Sequence, residues 1–199
     1  MNRSAEMKRP CALVRAARHF ATITRHRHTV IMYCARAGIL WQGLRHDLSK
    51  YTPTEFFAGV RYYQGYRSPN EAERETIGYS SAWMHHKGRN RHHFEYWTDY
   101  DPGVRGKIRT IEMPYRYVVE MLCDRLAASR IYNGKNYSPD EPLKYFLPGK
   151  PNRMIHPDTS DLIESLLRMV AEKGEDETLE YVRRTVREDR IRCRQERSK

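Results

Sequence analysis

The chain has 199 residues, of which 39% are hydrophobic, and this is enough for one domain with a buried core. Its apolar runs are short and its first twenty residues are interrupted by Arg and Lys, so we expect a cytoplasmic protein without a signal peptide or membrane-spanning segment. The net charge of +11 favours an anionic partner such as nucleic acid, a nucleotide or a phosphorylated small molecule, although solvated helix faces would also explain it.

Helical periodicity predicts an all-α protein. The first helix is predicted over roughly 10–37, where Gly38 follows it, and the second over roughly 40–50. Later helices are predicted to begin near 53, 69, 114, 139, 158 and 176. No convincing strand alternation is present, and the segments 88–108 and 132–138 are predicted to be loops because they are rich in Gly, Asn, Asp, Pro and Tyr.

Three of the helix starts share one pattern, in which Ser or Thr is followed by Pro and, three residues after the hydroxyl, by Glu. The hydroxyl can accept from a first-turn amide, Pro suits the first helical position, and the acid can reach back to the capping residue. The pattern occurs at Thr52-Pro53-Thr54-Glu55, Ser68-Pro69-Asn70-Glu71 and Ser138-Pro139-Asp140-Glu141. The helix from 69 is predicted to continue to Gly88, and Gly174 is predicted to separate the last two helices.

The four cysteines give no sign of a zinc ribbon or a disulfide framework. They are far apart and form no Cys-x-x-Cys pair. We therefore predict buried or incidental thiols at Cys11, Cys34, Cys123 and Cys193.

The first helix carries three histidines. Apolar residues from Leu13 to Ala35 recur at helical spacing and define an inward face, with His28 at its edge and His19 and His26 projecting away from it. This pattern favours His28 as the buried histidine. Such a residue can be either a hydrogen-bonded core histidine or a metal ligand.

His46 and Asp47 form the most informative pair in the chain. In a helix that ends near Tyr51, Lys50 lies one turn after His46, so an imidazole, a carboxylate and an ammonium group share one helix end. Imidazole and carboxylate are metal ligands, and a cation beside them suits phosphate binding. The alternative is a surface pair with Lys50 as a favourable C-terminal cation.

Four histidines follow within nine residues, flanked by aromatic residues. They are His85 and His86 at the end of a predicted helix and His92 and His93 in the predicted loop. Between them lie polar residues that could contact phosphate, namely Lys87, Arg89, Asn90 and Arg91. The alternatives are aromatic packing with hydrogen-bonded imidazoles, or a basic loop that contacts phosphates.

The helix that begins at Pro114 is apolar almost all round. Its narrow polar stripe consists of Arg116, Glu120 and Asp124, at intervals of four. This stripe is either the solvent line of a largely buried helix or the source of a further carboxylate ligand.

The residues taken together resemble the HD superfamily of metal-dependent phosphohydrolases. The resemblance implies an HD-type helical bundle with His28 as the early ligand, His46 and Asp47 as the pair and Asp124 as the late ligand. The interval from His28 to His46 is 18 residues (46 − 28), which is shorter than usual in that superfamily. Extra histidines in some of its subfamilies hold a second metal, which would recruit His85 or His86 with His92 or His93.

The longer motif string also resembles an uncharacterised family of phage and bacterial proteins. It runs from HRHTV through HDLSKY to HHKGRNRHHFEYW, and the resemblance covers roughly residues 25–145. It implies no established activity. The predicted organisation is a helical metal-binding domain over 1–174 and a charged helix over 175–199 that belongs to the same domain or extends from it.

The leading hypothesis is a metal-dependent phosphohydrolase for a nucleotide or another phosphorylated small molecule. One or two divalent ions, Mn, Fe, Co, Ni or Zn, would activate water and polarise the phosphoryl group. Asp47 and Lys50 are the predicted catalytic residues, and substrate contacts are predicted for Lys50, Lys87, Arg89, Asn90 and Arg91. The oligomeric state is left open.

Three other functions compete with this hypothesis. HHKGRNRHH could belong to a His-Asn-His nuclease, although such a site needs a β-hairpin leading into a helix. A nucleic-acid-binding helical module would explain the charge and the tyrosines. Redox chemistry at a di-metal centre is the last, but the paired Glu-x-x-His signature of ferritin-like bundles is absent.

Overall fold

The computed structural model describes residues 10–196, apart from the side chains of 192–194 and 196, so the prediction for Cys193 lies outside the described residues. The predicted all-α class is confirmed, with 73% helix and 3% strand. No helix among the described residues has the length and apolar character needed to cross a membrane.

The described residues form eight α-helices and one short hairpin. In chain order the elements are α1 Ala12–Arg36, α2 Leu40–Arg45, α3 Pro53–Tyr62, α4 Pro69–Ile77, α5 Ser81–Lys87, β1 Thr98–Tyr100, β2 Ile108–Thr110, α6 Tyr115–Asn133, α7 Glu141–Phe146 and α8 Pro157–Glu196. Short 3₁₀ turns occupy Leu48–Tyr51, Phe94–Tyr96, Gly134–Asn136 and Leu147–Asn152.

The core lies where α1, α6 and α8 pack together. It includes Val30 and Tyr33 of α1, Leu122 of α6, and Leu167 and Val182 of α8, all fully buried. Because the apolar residues of α6 occupy nearly its whole circumference, this helix lies in the middle of the molecule. Of the polar stripe of α6, Glu120 and Asp124 face other elements, whereas Arg116 is exposed.

The second predicted helix is wrong in its extent. α2 ends at Arg45, and Asp47 has φ 53°, which is a left-handed conformation. No other non-glycine residue between 10 and 196 has a positive φ. The chain then makes a 3₁₀ turn over Leu48–Tyr51. His46, Asp47 and Lys50 consequently lie at a bend and not on one helix.

The helix predicted from 69 to Gly88 is two helices. Gly78, with φ 83°, ends α4, and the Ser80 hydroxyl accepts a hydrogen bond from the Trp83 amide at 3.0 Å to begin α5. Glu73 fixes the junction by accepting from the Ser80 and Ser81 hydroxyls, each at 2.6 Å. The break turns the end of α5 toward α3.

Two smaller predictions also need correction. β1 lies within the segment 88–108, predicted as a loop, and it pairs antiparallel with β2, with Thr98 opposite Thr110. The Glu55 side chain does not cap its own helix: the Thr52 hydroxyl donates to the Ser49 carbonyl at 2.6 Å, while Glu55 contacts histidines of α5. The start of α3 at Pro53 is nevertheless as predicted.

The C-terminal half of α8 packs against the core. Gly174, with φ 82°, interrupts the helix as predicted, and Leu179 and Val186 beyond it are buried core residues. Glu175, next to the break, accepts hydrogen bonds from Tyr33 of α1 and Arg130 of α6. Residues on both sides of Gly174 thus contribute to one core.

Candidate metal centre

Asp47 lies at the centre of a buried cluster of histidines and carboxylates. Its left-handed backbone costs free energy for a residue with a Cβ, and such conformations concentrate at functional sites. Asp47 lies at the bend between α2 and the 3₁₀ turn Leu48–Tyr51, and its carboxylate is buried, with 1% of the residue exposed. Both carboxylate oxygens have nitrogen neighbours.

The first ligand group, called here the His26 group, lies on the Oδ2 side of Asp47. Its members are His26, His46, Asp47 and Asp124, each with one ligand atom within 4.8 Å of the others. His46 Nε2 is 3.3 Å from Asp47 Oδ2 and 3.6 Å from Asp124 Oδ1. His26 Nε2 is 2.9 Å from Asp124 Oδ1.

The second group, called here the His86 group, lies on the Oδ1 side. It consists of Asp47, His86, His92 and His93. Asp47 Oδ1 is 3.2 Å from His86 Nε2 and 3.5 Å from His92 Nε2. Asp47 is the member that both groups share, with a different oxygen toward each.

The separations between ligand atoms suit a transition metal. First-row ions bind nitrogen and oxygen at roughly 2.0–2.2 Å, which places neighbouring ligand atoms about 3.0–3.5 Å apart. The nitrogen to oxygen distances around Asp47 and Asp124 quoted above fall close to this range. The imidazole and carboxylate donors suit manganese, iron, cobalt, nickel or zinc.

Four buried nitrogens in these groups have no hydrogen bond of acceptable geometry. They are the Nε2 atoms of His26, His46, His92 and His93. Buried polar atoms are normally satisfied, so a concentration of unsatisfied ones facing two carboxylates is a sign of a missing partner. A divalent cation in each group would satisfy these nitrogens, and the residues present therefore fit a metal centre.

Glu120 orients two of the histidines. Its Oε1 lies 3.0 Å from His46 Nδ1 and 3.3 Å from His92 Nδ1. Burial alone would raise the pKa of Glu120, but the hydrogen bonds from His46 and His92 outweigh it and lower that pKa to about 2. With Nδ1 protonated toward Glu120, Nε2 of each ring carries the lone pair that a metal needs.

Glu55 orients the two histidines at the end of α5. It lies 2.7 Å from His86 Nδ1 through Oε2 and 2.6 Å from His85 Nδ1 through Oε1. Asn90 supports this arrangement, because its Nδ2 donates to the Ser49 hydroxyl and to the His86 carbonyl, each at 2.8 Å. Glu55 therefore fixes the ring of His86 with Nε2 toward Asp47.

The charges of the cluster favour a cation at its centre. Burial works against ionisation, but His46 and Lys50 lower the pKa of Asp47 well below its usual value, and Asp47 in turn raises the pKa of His46 and His86. Such a site attracts positive charge, and a metal ion competes with protons for the same nitrogens. Asp47 and Asp124 are thus available as charged ligands.

Lys50 supplies a cation at the edge of the cluster. Its Nζ lies 2.6 Å from Asp47 Oδ2, and its side chain is 29% exposed. Burial would lower the pKa of Lys50, but Asp47 and Asp124 outweigh burial and raise it. An ammonium group with further donors available therefore borders the shared carboxylate.

The structure brings together most of the predicted ligands but not His28. His46, Asp47, Asp124, His86, His92 and His93 lie in the two groups, whereas His28 is exposed on α1. His26 takes the predicted place of His28. The correction arises because the inward face of α1 carries His19, Ile23, His26, Val30 and Tyr33, and two of these are polar, so the apolar pattern was placed on the wrong arc.

The remaining predicted residues lie around the centre. His85 pairs with Glu55 and belongs to neither group. Asn90, predicted to contact substrate, is buried against His86 and Ser49. Arg89 and Arg91 are exposed: Arg89 donates to the His85 carbonyl and Arg91 to the Tyr117 hydroxyl, each at 3.3 Å. Lys87 is half-buried.

The sequence pattern does not predict two residues of this site, His26 and Glu55, and it offers a third, Glu120, only as one alternative. His26 was assigned to the outer face, and Glu55 was assigned to a helix cap. The polar stripe of α6 predicts Glu120 as a possible ligand beside Asp124, and Glu120 lies against Nδ1 of His46 and of His92, with which it forms a third group that could hold a metal ion. The spacing of His19, His26 and Tyr33 at intervals of seven was the available signal for the buried face of α1.

The chain belongs to a known sequence family, described as "Family of unknown function (DUF5662)", which matches residues 15–169. This confirms the predicted membership of an uncharacterised family. Comparison with curated proteins and with solved structures found no match. The comparisons give no support to the resemblance to the HD superfamily, which stays an expectation from the sequence.

Proposed function

We propose that this protein is a metal-dependent phosphohydrolase with two divalent ions bridged by Asp47. The observation that carries the proposal is the shared carboxylate, with Oδ1 toward the His86 group and Oδ2 toward the His26 group. Carboxylates that bridge two ions are frequent in enzymes that hydrolyse phosphate esters. Four unsatisfied imidazole nitrogens around it support the same conclusion.

The order of the ligands along the chain also supports the proposal. With His26 as the early ligand, the sequence resembles the HD superfamily pattern of an early histidine, a His-Asp pair and a late aspartate. The interval becomes 20 residues (46 − 26), longer than the one that His28 gives. His86, His92 and His93 would be the additional ligands of a second ion.

The proposed chemistry divides between the ions and the chain. Bound ions would supply a Lewis acid for the phosphoryl group and lower the pKa of a water molecule. Asp47 and Asp124 provide negative ligands, while Glu55 and Glu120 hold the imidazole rings with Nε2 inward. Lys50 is placed to offset the charge that develops on phosphoryl oxygens.

The test is phosphate release from a panel of nucleotides and p-nitrophenyl phosphate, with manganese, iron, cobalt, nickel, magnesium or zinc. Asp47→Ala removes a ligand from both groups and should lower the rate more than about a hundredfold, because loss of an outer partner alone costs about 10–100-fold. The matched control is Asp158→Ala, an exposed aspartate at the start of α8. Equal rates in Asp47→Ala and wild type would reject the proposal.

We propose nucleic-acid binding as a second candidate function, because a surface groove combines cations and aromatic rings. Its volume is about 600 Å³, and its lining includes Arg15, Arg18, Arg61, Tyr62, Tyr63 and Tyr66. Cations bind phosphates and aromatic rings stack on bases. Replacing Arg15, Arg18 and Arg61 together should weaken salt-sensitive binding of a single-stranded oligonucleotide and leave the metal content unchanged. Unchanged binding in this variant would reject the candidate.

A further inference from the structure

A small pocket opens beside the metal centre, between α1, α3 and the start of α4. Its volume is about 80 Å³, and Lys50 and His86 belong both to its lining and to the buried cluster around Asp47. The pocket is called here the His19 pocket, because His19 lines it from α1.

His19 is a buried histidine without an evident structural partner. The residue is 6% exposed, and its Nδ1 makes no hydrogen bond. Its ring packs between Phe56 and Tyr63, with centroid distances of 5.4 and 5.8 Å. A leucine would satisfy these apolar neighbours at lower cost than an unsatisfied imidazole, so packing alone does not explain the histidine.

The neighbouring helix makes room for this imidazole. A Cβ added at Gly59 of α3 would lie 2.1 Å from His19 Nε2, so the ring packs directly on the glycine backbone. A glycine inside a helix costs about 1 kcal/mol relative to alanine. The position of His19 on α1 is therefore fixed by close packing against Gly59 of α3.

The charges of the pocket are mainly positive. Lys50 and Arg67 line it, each also paired with a carboxylate outside the lining, Asp47 and Glu75 respectively, and Glu55 is the one carboxylate among the described lining residues. Burial and Lys50 lower the pKa of His19 to about 4, so its imidazole is a neutral hydrogen-bonding group at pH 7. Glu55 lies within hydrogen-bond distance of His85 and His86 and is partly neutralised by them. An anion in the pocket would meet the ammonium of Lys50 and the imidazole of His19.

We propose that the His19 pocket is the binding subsite for a terminal phosphate group, with His19 as a substrate-binding residue. This inference rests on the proposed phosphohydrolase function and adds a substrate class to it. A volume of about 80 Å³ accommodates one tetrahedral oxyanion, and it is far below the roughly 300–1,000 Å³ of sites that enclose a whole small molecule. A phosphomonoester offers three unesterified oxygens to such a pocket, whereas a diester offers two and has to accommodate a second ester substituent near it.

The experiment measures binding of inorganic phosphate to the metal-loaded full chain by calorimetry. His19→Leu should weaken phosphate binding about tenfold or more, since a hydrogen bond to a charged group is lost. His19→Asn, which keeps a polar atom near the position of Nδ1, should bind phosphate more tightly than His19→Leu. His28→Leu is the matched control on the exposed side of α1 and should bind phosphate as wild type does.

Metal content and unfolding temperature are measured on the same samples. We expect His19→Leu to keep its full metal content and to be at least as stable as wild type, because it removes an unsatisfied buried nitrogen. Wild-type phosphate affinity in His19→Leu would overturn the inference, as would loss of metal or a lower unfolding temperature, which would make His19 a structural residue. A wild-type protein that binds no metal would instead refute the proposed function.

A separate binding measurement tests the substrate class. Methyl phosphate should bind to the metal-loaded protein within about threefold of inorganic phosphate, whereas dimethyl phosphate should bind at least about tenfold more weakly than methyl phosphate, which is about 1.4 kcal/mol. Equal affinities for the two esters would overturn the assignment to terminal phosphates.

Discussion

Glu120 connects two histidines that belong to different ligand groups. It lies against Nδ1 of His46 from the His26 group and of His92 from the His86 group. We predict that Glu120→Ala lowers metal affinity about 10–100-fold, because both rings lose the partner that orients Nε2. Titration of the metal-free protein with zinc or manganese measures this.

The matched control for this change is Glu112→Ala, an exposed glutamate shortly before α6. Its metal affinity should equal that of the wild type. If Glu120→Ala also binds metal as tightly as the wild type, then Glu120 does not position His46 and His92 for metal binding.

His26 and His28 form a natural test pair, since they are two residues apart on one helix and only His26 is buried. We predict that His26→Ala retains about one of the two ions per chain after dialysis, because the His26 group loses a ligand. His28→Ala should retain both ions. Elemental analysis after dialysis distinguishes them. Loss of metal in His28→Ala alone would show that His28 is the ligand on α1, as the sequence pattern predicts.

His26 and His28 illustrate which residues of the site can be predicted from the sequence and which cannot. His46, Asp47 and Asp124 were predictable from the pair and from the polar stripe of α6. The inward face of α1 was not, because a face that includes ligands is partly polar and hydrophobic periodicity then points elsewhere. Phe20, one of the apolar residues between Leu13 and Ala35 whose spacing predicts the inward face of α1, is 51% exposed.

At the scale of elements, α1 and α3 approach each other through His19 and Gly59. In an open helix, Gly59→Ala would be stabilising by about 1 kcal/mol. Here the new Cβ would lie 2.1 Å from His19 Nε2, so we predict a net loss of about 1–3 kcal/mol in the free energy of unfolding. Urea denaturation measures the change.

Gly88→Ala provides the comparison at the end of α5. Gly88 has φ −73°, and the nearest atom to an added Cβ is 3.6 Å away. This variant should be as stable as the wild type or slightly more so. A Gly59→Ala protein that is also unharmed would show that α1 and α3 can separate without cost.

Helix starts were the elements that sequence predicted best. Pro53, Pro69 and Pro114 begin or immediately precede α3, α4 and α6, because proline fixes a helical φ and lacks only an amide that would be unpaired. The bend at Asp47 was not predictable. Aspartate adopts the left-handed conformation more readily than most residues, but no local pattern distinguishes Asp47 from the other aspartates, and its contacts with histidines and Lys50 come from the tertiary structure.

At the scale of the whole molecule, Glu175 ties three helical regions together. It accepts hydrogen bonds from Tyr33 of α1, from Arg130 of α6 and from Tyr137. We predict that Glu175→Gln lowers the free energy of unfolding at pH 7 by about 1–3 kcal/mol, because the charged acceptor is lost from a buried network. Urea denaturation at pH 7 measures this, with the exposed Glu172→Gln as the control.

The same contact has a predicted dependence on pH. Burial would raise the pKa of Glu175, but hydrogen bonds from Arg130, Tyr137 and Tyr33 outweigh it and lower that pKa below its ordinary 4.5. A lowered folded-state pKa stabilises the protein above the unfolded-state pKa, and this stabilisation is lost as pH falls through the folded-state pKa. The difference between wild type and Glu175→Gln should therefore be constant from pH 7 to about pH 5 and shrink below pH 4.5. A difference that stays constant down to pH 3 would contradict this assignment.

The central claim is that the buried cluster around Asp47 is a metal centre, and elemental analysis of untagged protein purified without chelators tests it most directly. We predict about two transition-metal ions per wild-type chain and close to none in Asp47→Ala, because both ligand groups depend on that carboxylate. A folded wild-type protein that contains no stoichiometric metal, and that takes up none when manganese, iron, cobalt, nickel or zinc is added, would contradict the claim.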